Sequence, residues 1–144
     1  MKLSTKTRYG VRAIIELAAS QSINPIRLKV IASRQNISIK YLEQLMAVLK
    51  SAGFIKSVRG AKGGYILAKP ANQIKLSDIF KALEGPVTPV ECLEDKNYCA
   101  KVADCVARQL WEEVQQAIME VLESVSLQDL VDRTKNKKNL NYQI

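Results

Sequence analysis

Apolar residues recur at helical spacing through most of the chain. Residues 3–20 place Val11, Ile14, Ile15, Leu17 and Ala18 on one face, with Ser4 or Thr5 available as a cap. Gly10 lies inside this helix, where a missing side chain suits a close neighbour. Asn24 and Pro25 break the pattern, and residues 26–34 predict a short second helix with Leu28, Ile31 and Ala32 inward. After a tight turn at residues 35–37, Ser38 is placed to cap a third helix over 39–52, with Leu42, Leu45, Met46 and Leu49 inward and Gly53 at its end. Its other face is polar: Lys40, Tyr41, Glu43, Gln44 and Lys50.

The period then changes. Residues 54–58 and 65–68 are strand-like, and the glycine-rich stretch Arg59-Gly-Ala-Lys-Gly-Gly64 between them predicts a hairpin. A short helix, a tight turn, a polar-faced helix and a hairpin form a winged helix-turn-helix. Arg59 and Lys62 fall at the tip of the wing, where a cation meets phosphate or enters a narrow minor groove. A phosphate-binding loop would need a helix after its glycines, and here a strand follows. Residues 74–83 predict another short helix, stopped by Gly85 and Pro86. From 104 to 126 a long stripe runs through Val106, Leu110, Val114, Ala117, Ile118, Val121, Leu122 and Val125, with Trp111 beside it. It exceeds what so small a head can cover, which predicts a second subunit. Residues 127–131 add one turn capped by Ser126, and the lysine-rich tail over 132–144 is expected to be disordered or loosely attached.

The expected fold is therefore mainly α with a small β-hairpin wing. A DNA-binding head over 1–85 leads to a cysteine-bearing loop over 86–103, a dimerisation helix over 104–131 and a polar tail. Charge agrees with this division. The net charge is +8, but residues 1–85 hold fifteen Lys and Arg against four Asp and Glu, whereas residues 86–144 hold seven against ten. A basic head on an acidic remainder fits polyanion binding by the head alone. No apolar run suggests a membrane span and no apolar leader opens the chain, so a cytoplasmic protein is expected.

All three cysteines lie in one polar loop: Cys92, Cys99 and Cys105. Three thiolates there suit a soft metal, either zinc or iron in an iron–sulfur cluster. A thiol redox switch without metal, or control by a metabolite or partner protein, is the alternative. An electron carrier or enzyme is disfavoured: the chain has no histidine and no evident nucleophile–base pair.

Four motifs taken in order carry a resemblance. They are Met1-Lys-Leu-Ser-Thr-Lys-Thr-Arg-Tyr-Gly-Val-Arg-Ala, Ile37-Ser-Ile-Lys-Tyr-Leu-Glu-Gln-Leu, Val58-Arg-Gly-Ala-Lys-Gly-Gly-Tyr and Ser126-Leu-Gln-Asp-Leu. With these the chain resembles IscR-type transcription regulators of the Rrf-two superfamily, which are bacterial winged-helix dimers. The resemblance implies a homodimer on a double-stranded DNA operator. It implies an iron–sulfur cluster on Cys92, Cys99 and Cys105, most often 2Fe–2S with 4Fe–4S also open, delivered by iron–sulfur assembly proteins and reporting cluster supply or redox or nitrosative stress. It also implies that Arg59 enters the minor groove and that Ser38, Lys40, Tyr41, Glu43 and Gln44 lie at the DNA surface.

Around the cysteines this chain departs from the pattern in two places, and Arg8 and Tyr9 stand where nitric-oxide-sensing relatives draw an acidic ligand from the first helix. The family's histidine, three residues after the last cysteine, is replaced by Arg108, which has no lone pair to give a metal. The first cysteine spacing is also one residue longer. The fourth ligand stays open among Asp104, Glu91, Glu94, Asp95, a residue from the partner subunit and an exogenous thiol, with Asp104 the first candidate because it adjoins Cys105.

Overall fold

The first helix, α1 (Thr5–Ala19), starts where Ser4 takes an extended conformation and its hydroxyl accepts the Thr7 N–H at 3.1 Å. In a computed structural model that describes residues 2–20 and 24–142, α1 is the central element of the head. It buries Thr7, Gly10, Ala13, Ile14, Leu17 and Ala18. Val11 and Ile15, expected inward, sit at the edge of this stripe and are half-buried.

The second helix, α2 (Leu28–Gln35), ends on Asn36, which adopts the left-handed conformation at φ 53°. Asparagine tolerates that region better than most residues. Asn36 donates to the Ser33 carbonyl and Ile37 to the Ala32 carbonyl, closing the helix end and turning the chain sharply. The turn delivers Ser38 as N-cap of α3 (Ile39–Ser51), its hydroxyl accepting from the Tyr41 N–H at 3.2 Å. Leu42, Leu45, Met46 and Leu49 are buried, the four residues the periodicity selects.

Strands β1 (Ile55–Val58) and β2 (Gly64–Leu67) pair antiparallel, with Ile55 opposite Leu67 and Val58 opposite Gly64. Ile26, expected in the second helix, instead bridges Tyr65 through two backbone hydrogen bonds of 2.9 and 2.8 Å. Its N–H and carbonyl are thereby satisfied by the wing and not by a helical turn. The next helix, α4 (Leu76–Glu84), buries Leu76, Ile79, Phe80 and Leu83 and ends at Gly85, φ 89°. Leu83 lies against α1 at Gly10, where a Cβ would fall 2.6 Å from Cδ1 of Leu83. A larger residue there would force the Leu83 side chain to move.

Residues 86–105 form short 3-10 turns at Glu91–Leu93 and Val102–Asp104, joined by hydrogen-bonded turns. The long helix α5 (Val106–Ser124) then begins two residues later than expected. It stops at Val125, where backbone bonds pair the α5–α6 junction with the segment before α4: Leu76 N–H to Val125 O at 2.9 Å and Leu127 N–H to Ile74 O at 2.8 Å. Ser126 and Asp129 cap α6 (Leu127–Tyr142) reciprocally.

This last helix corrects the expectation of a single added turn and a loose tail. It runs for sixteen residues, and its first turns return to the head, burying Leu127 and Val131 in the same core as α1, α3 and α4. The tail's low hydrophobicity concealed this, because few positions anchor it, Leu127 and Val131 fully and Leu130 in part, and the remaining residues merely continue a helix already started.

Candidate nucleic-acid interface and cysteine loop

The head presents α3 and the wing side by side. Burial of the Leu42, Leu45, Met46 and Leu49 stripe forces the opposite side of α3 outward, so Ser38, Lys40, Glu43 and Gln44 are exposed. Tyr41 is half-buried, and its ring meets Tyr9 of α1 edge-on at 6.1 Å between centroids. Arg12 lies over Tyr9 at 5.1 Å and Arg8 at 5.9 Å, so cations from α1 border the base of the recognition-type helix. Glu43 is the one carboxylate in this row. It can accept from cytosine but would repel phosphate.

At the wing, Gly63 donates to the Gly60 carbonyl at 2.9 Å and closes the loop, leaving Arg59 and Lys62 exposed. Gly64 has φ 147°, and a Cβ there would strike the Ile26 carbonyl oxygen at 2.4 Å. A glycine is thus needed for the wing to dock on the chain entering α2. Arg27, just before α2, also donates to the Ala61 carbonyl at the wing tip. The sequence reading did not anticipate this tether, since nothing in the pattern distinguishes Arg27 from other surface arginines.

The cysteine loop hangs between α4 and α5. Cys92 is half-buried in the first 3-10 turn, Cys99 is exposed, and Cys105 is the N-cap residue of α5 and half-buried. All three are free thiols. The loop is held internally by a Thr88 hydroxyl donating to Glu94 at 2.7 Å and an Asn97 N–H donating to Asp95 at 2.8 Å. It is held to α5 by Gln115, whose amide donates to the Val87 carbonyl at 2.6 Å, and by Arg108, whose Nε donates to the Cys92 carbonyl at 3.4 Å. Arg108 also pairs with Glu112 one turn on. The residue standing where the family's histidine would be therefore supports the Cys92 turn through its N–H groups. The Arg108–Glu112 spacing was legible in the sequence, whereas the partner at Cys92 was not.

The donor chemistry suits an iron–sulfur cluster or zinc: three free thiols within one loop, with the exposed carboxylate of Asp104 beside Cys105. Among the described residues, no group of three or more Cys, Asp and Glu is gathered closely enough to hold a metal ion. A single chain in this conformation thus carries the donors without assembling them.

The chain entering the loop is fastened to the head. The Glu84 carboxylate, at the end of α4, accepts from the Ser4 hydroxyl at 2.6 Å, the Ser4 N–H at 3.3 Å and the Thr7 hydroxyl. The Ser4 hydroxyl, then that of Thr7, holds its pKa below the ordinary 4.5. The carboxylate also sits at the positive end of α1.

The Rrf2 family model, described as an iron-dependent transcriptional regulator, matches residues 3–133. The chain belongs to the Rrf2 family. It is 44% identical to the HTH-type transcriptional regulator CymR of Bacillus subtilis over 138 residues, which is 96% of this chain and 95% of that one. The solved structure of B. subtilis CymR, titled as that of a global cysteine regulator, superposes with a TM-score of 0.79 and covers 92% of this chain and 98% of that one. T. potens IscR superposes with a TM-score of 0.76 at 43% identity, covering 93% and 88%. This Rrf2 chain is accordingly a DNA-binding transcription regulator and not an enzyme, with the winged-helix fold its sequence predicts. Among its described residues, no helix is long and apolar enough to cross a membrane.

Proposed function

We propose that this Rrf2 regulator acts as a homodimer whose paired heads bind an operator, with residues 86–105 receiving the signal through an iron–sulfur cluster on Cys92, Cys99 and Cys105. The observation that carries the reading is the position of the thiol loop. On one side it continues directly from Glu84, which accepts from Ser4 and Thr7 at the start of α1. On the other it is bonded to α5 through Arg108 and Gln115. A change in the loop's shape therefore acts on the joint between head and α5. That joint sets the spacing of the two heads, and half-sites on DNA repeat at about 34 Å per helical turn.

The second subunit is placed on α5. In one chain this helix buries no residue at all. Val106, Leu110, Val114 and Val121 are exposed large apolar residues on one stripe, with Trp111 beside them. Half-buried Gln115, Ile118, Met119 and Leu122 occupy the other side, toward α4 and the head. Two copies of the stripe, packed about a two-fold axis, would cover each other.

At the DNA, Ser38, Lys40, Tyr41, Glu43 and Gln44 take the major groove, while Arg59 enters the minor groove and Lys62 meets phosphate. When bound, the cluster supplies a centre that gains and loses an electron and is attacked by oxidants. Cys92, Cys99 and Cys105 would hold it, with Asp104 the first candidate for the remaining position. A 2Fe–2S centre is the first choice and 4Fe–4S the second, delivered by the cell's iron–sulfur assembly proteins.

A second reading has its own support. The uncollected ligands, and the likeness to a protein titled a cysteine regulator, favour control through the thiols themselves or through a metabolite or partner, with no metal. Anaerobic purification with an absorbance spectrum and counts of iron, sulfide and zinc separates the cases. Iron and sulfide together, with DNA binding altered by chelation, support the cluster. Stoichiometric zinc in a colourless protein identifies a structural metal. Absence of all three, with DNA binding reversed by thiol reductant, identifies the thiol switch.

A further inference from the structure

Away from the cysteine loop, a cavity of about 680 Å³ opens where α1, the end of α2 and α6 meet. Ile15 and Ala19, one turn apart on α1, give it an apolar floor. Arg12, Glu16, Arg34 and Lys138 give it a charged rim with a surplus of two positive charges. The rim's single carboxylate is already committed: Glu16 pairs with Arg34 at 3.1 Å and accepts from the Gln35 amide at 2.8 Å. Arg12 donates two N–H groups to Gln35, at 3.1 and 2.6 Å, and a guanidinium has further N–H donors to offer. Among the described residues, no hydrogen bond or ion pair engages the Lys138 ammonium. The volume lies within the range of small-molecule sites, roughly 300–1,000 Å³.

We propose that this cavity binds a small dicarboxylate with a short aliphatic body and that its occupancy alters DNA binding. The surplus charge calls for a dianion, and the floor calls for carbon between its ends. The readout follows from Arg12. Its guanidinium holds the Gln35 carbonyl at the turn between α2 and α3 and lies over Tyr9, which packs edge-on against Tyr41 of α3. A ligand that draws Arg12 into the cavity thus loads both the turn and the aromatic pair beneath the recognition-type helix. Binding stands on the cavity alone, and the readout rests on the DNA-binding role of the family.

Succinate is the probe, titrated into the full-length protein by calorimetry and by amide chemical shifts. The expected result is saturable one-to-one binding, with shifts centred on Ile15, Ala19 and Thr134. Succinamide, which lacks the charges, should not bind. Lys138→Glu, on an exposed helical site, should keep the fold and weaken succinate at least tenfold. Saturating succinate should change affinity for a selected DNA fragment about fivefold or more, the lower range of allosteric coupling. The DNA response should persist in the protein carrying Cys92→Ser, Cys99→Ser and Cys105→Ser, which distinguishes it from signalling through the loop.

Absence of saturable binding overturns the proposal, as does binding indifferent to Lys138→Glu. Inorganic phosphate binding as tightly as succinate would show that the floor contributes nothing and refute an organic ligand. Binding without any change in DNA affinity refutes the effector role, and loss of the response in the cysteine-free protein assigns it to the loop instead. Loss of DNA affinity in Lys138→Glu, with wild type binding no succinate, marks the patch as a phosphate contact and refutes the site.

Discussion

Leu110→Ala tests the α5 interface directly. Leu110 is 51% exposed in the single chain and belongs to no core cluster, so its removal should leave the head's melting temperature nearly unchanged. Fully burying a leucine contributes about 1.5–3 kcal/mol, and roughly half of that is still to be gained at this position, or about 1 kcal/mol per chain. A two-fold interface counts each substitution twice, giving about 2 kcal/mol per dimer. At about 1.4 kcal/mol per factor of ten, the dimer dissociation constant should rise about 30-fold. Sedimentation equilibrium measures that constant, with thermal melting as the control for folding. Cooperative DNA binding should weaken in parallel, since one head spans only a half-site. A dissociation constant within threefold of wild type, with the fold intact, would refute α5 as the dimer surface.

Arg59→Ala should cost about 1–3 kcal/mol of DNA binding and relax sequence preference, whereas Lys62→Ala should lower the slope of log affinity against log salt by about 1 with the preference unchanged; binding curves at several salt concentrations distinguish the two. Gly64→Ala should undock the wing, because the new Cβ meets the Ile26 carbonyl at a position with φ 147°. Loss of amide protection at Ile26 and Tyr65 would report it. Cys92→Ala, Cys99→Ala and Cys105→Ala should each abolish visible absorbance of anaerobic protein while leaving helical circular dichroism intact, and a series in which only one cysteine matters would contradict a shared cluster. Glu84→Gln should cost about 1.5 kcal/mol, the lower end for hydrogen bonds to a charged group. The sign with pH follows from the lowered pKa. The ionised carboxylate stabilises the fold above about 4.5, and that contribution is lost as pH falls through its depressed folded value. Chemical denaturation as a function of pH should therefore show a steeper acid loss for wild type than for the variant.

Much of the DNA-facing head was readable because its signals are local. Ser38 as a cap, the Leu42–Leu45–Met46–Leu49 stripe and the glycine-rich turn between two short strands each act within a few residues, and each is found as expected. The exposure of Lys40, Glu43, Gln44, Arg59 and Lys62 follows from that periodicity. The close approach at Gly10 was also legible, although its partner, Leu83, was not. The long α6 was misread because its helix is polar and its anchors, all within its first turns, are too few to form a pattern.

Alone, the sequence determined the two strands and every α-helix except the extent of the last, that the first half is cationic, and that three thiols share one loop. Periodicity, turn chemistry and charge are properties of neighbouring residues. Tertiary structure alone decided that Ile26 and Arg27 hold the wing, that Glu84 braces the capping serine of a helix eighty residues earlier, that Arg108 supports the Cys92 turn, and that α6 closes a cavity over α1. These pairings depend on how distant elements pack, and no local pattern encodes the distance between them.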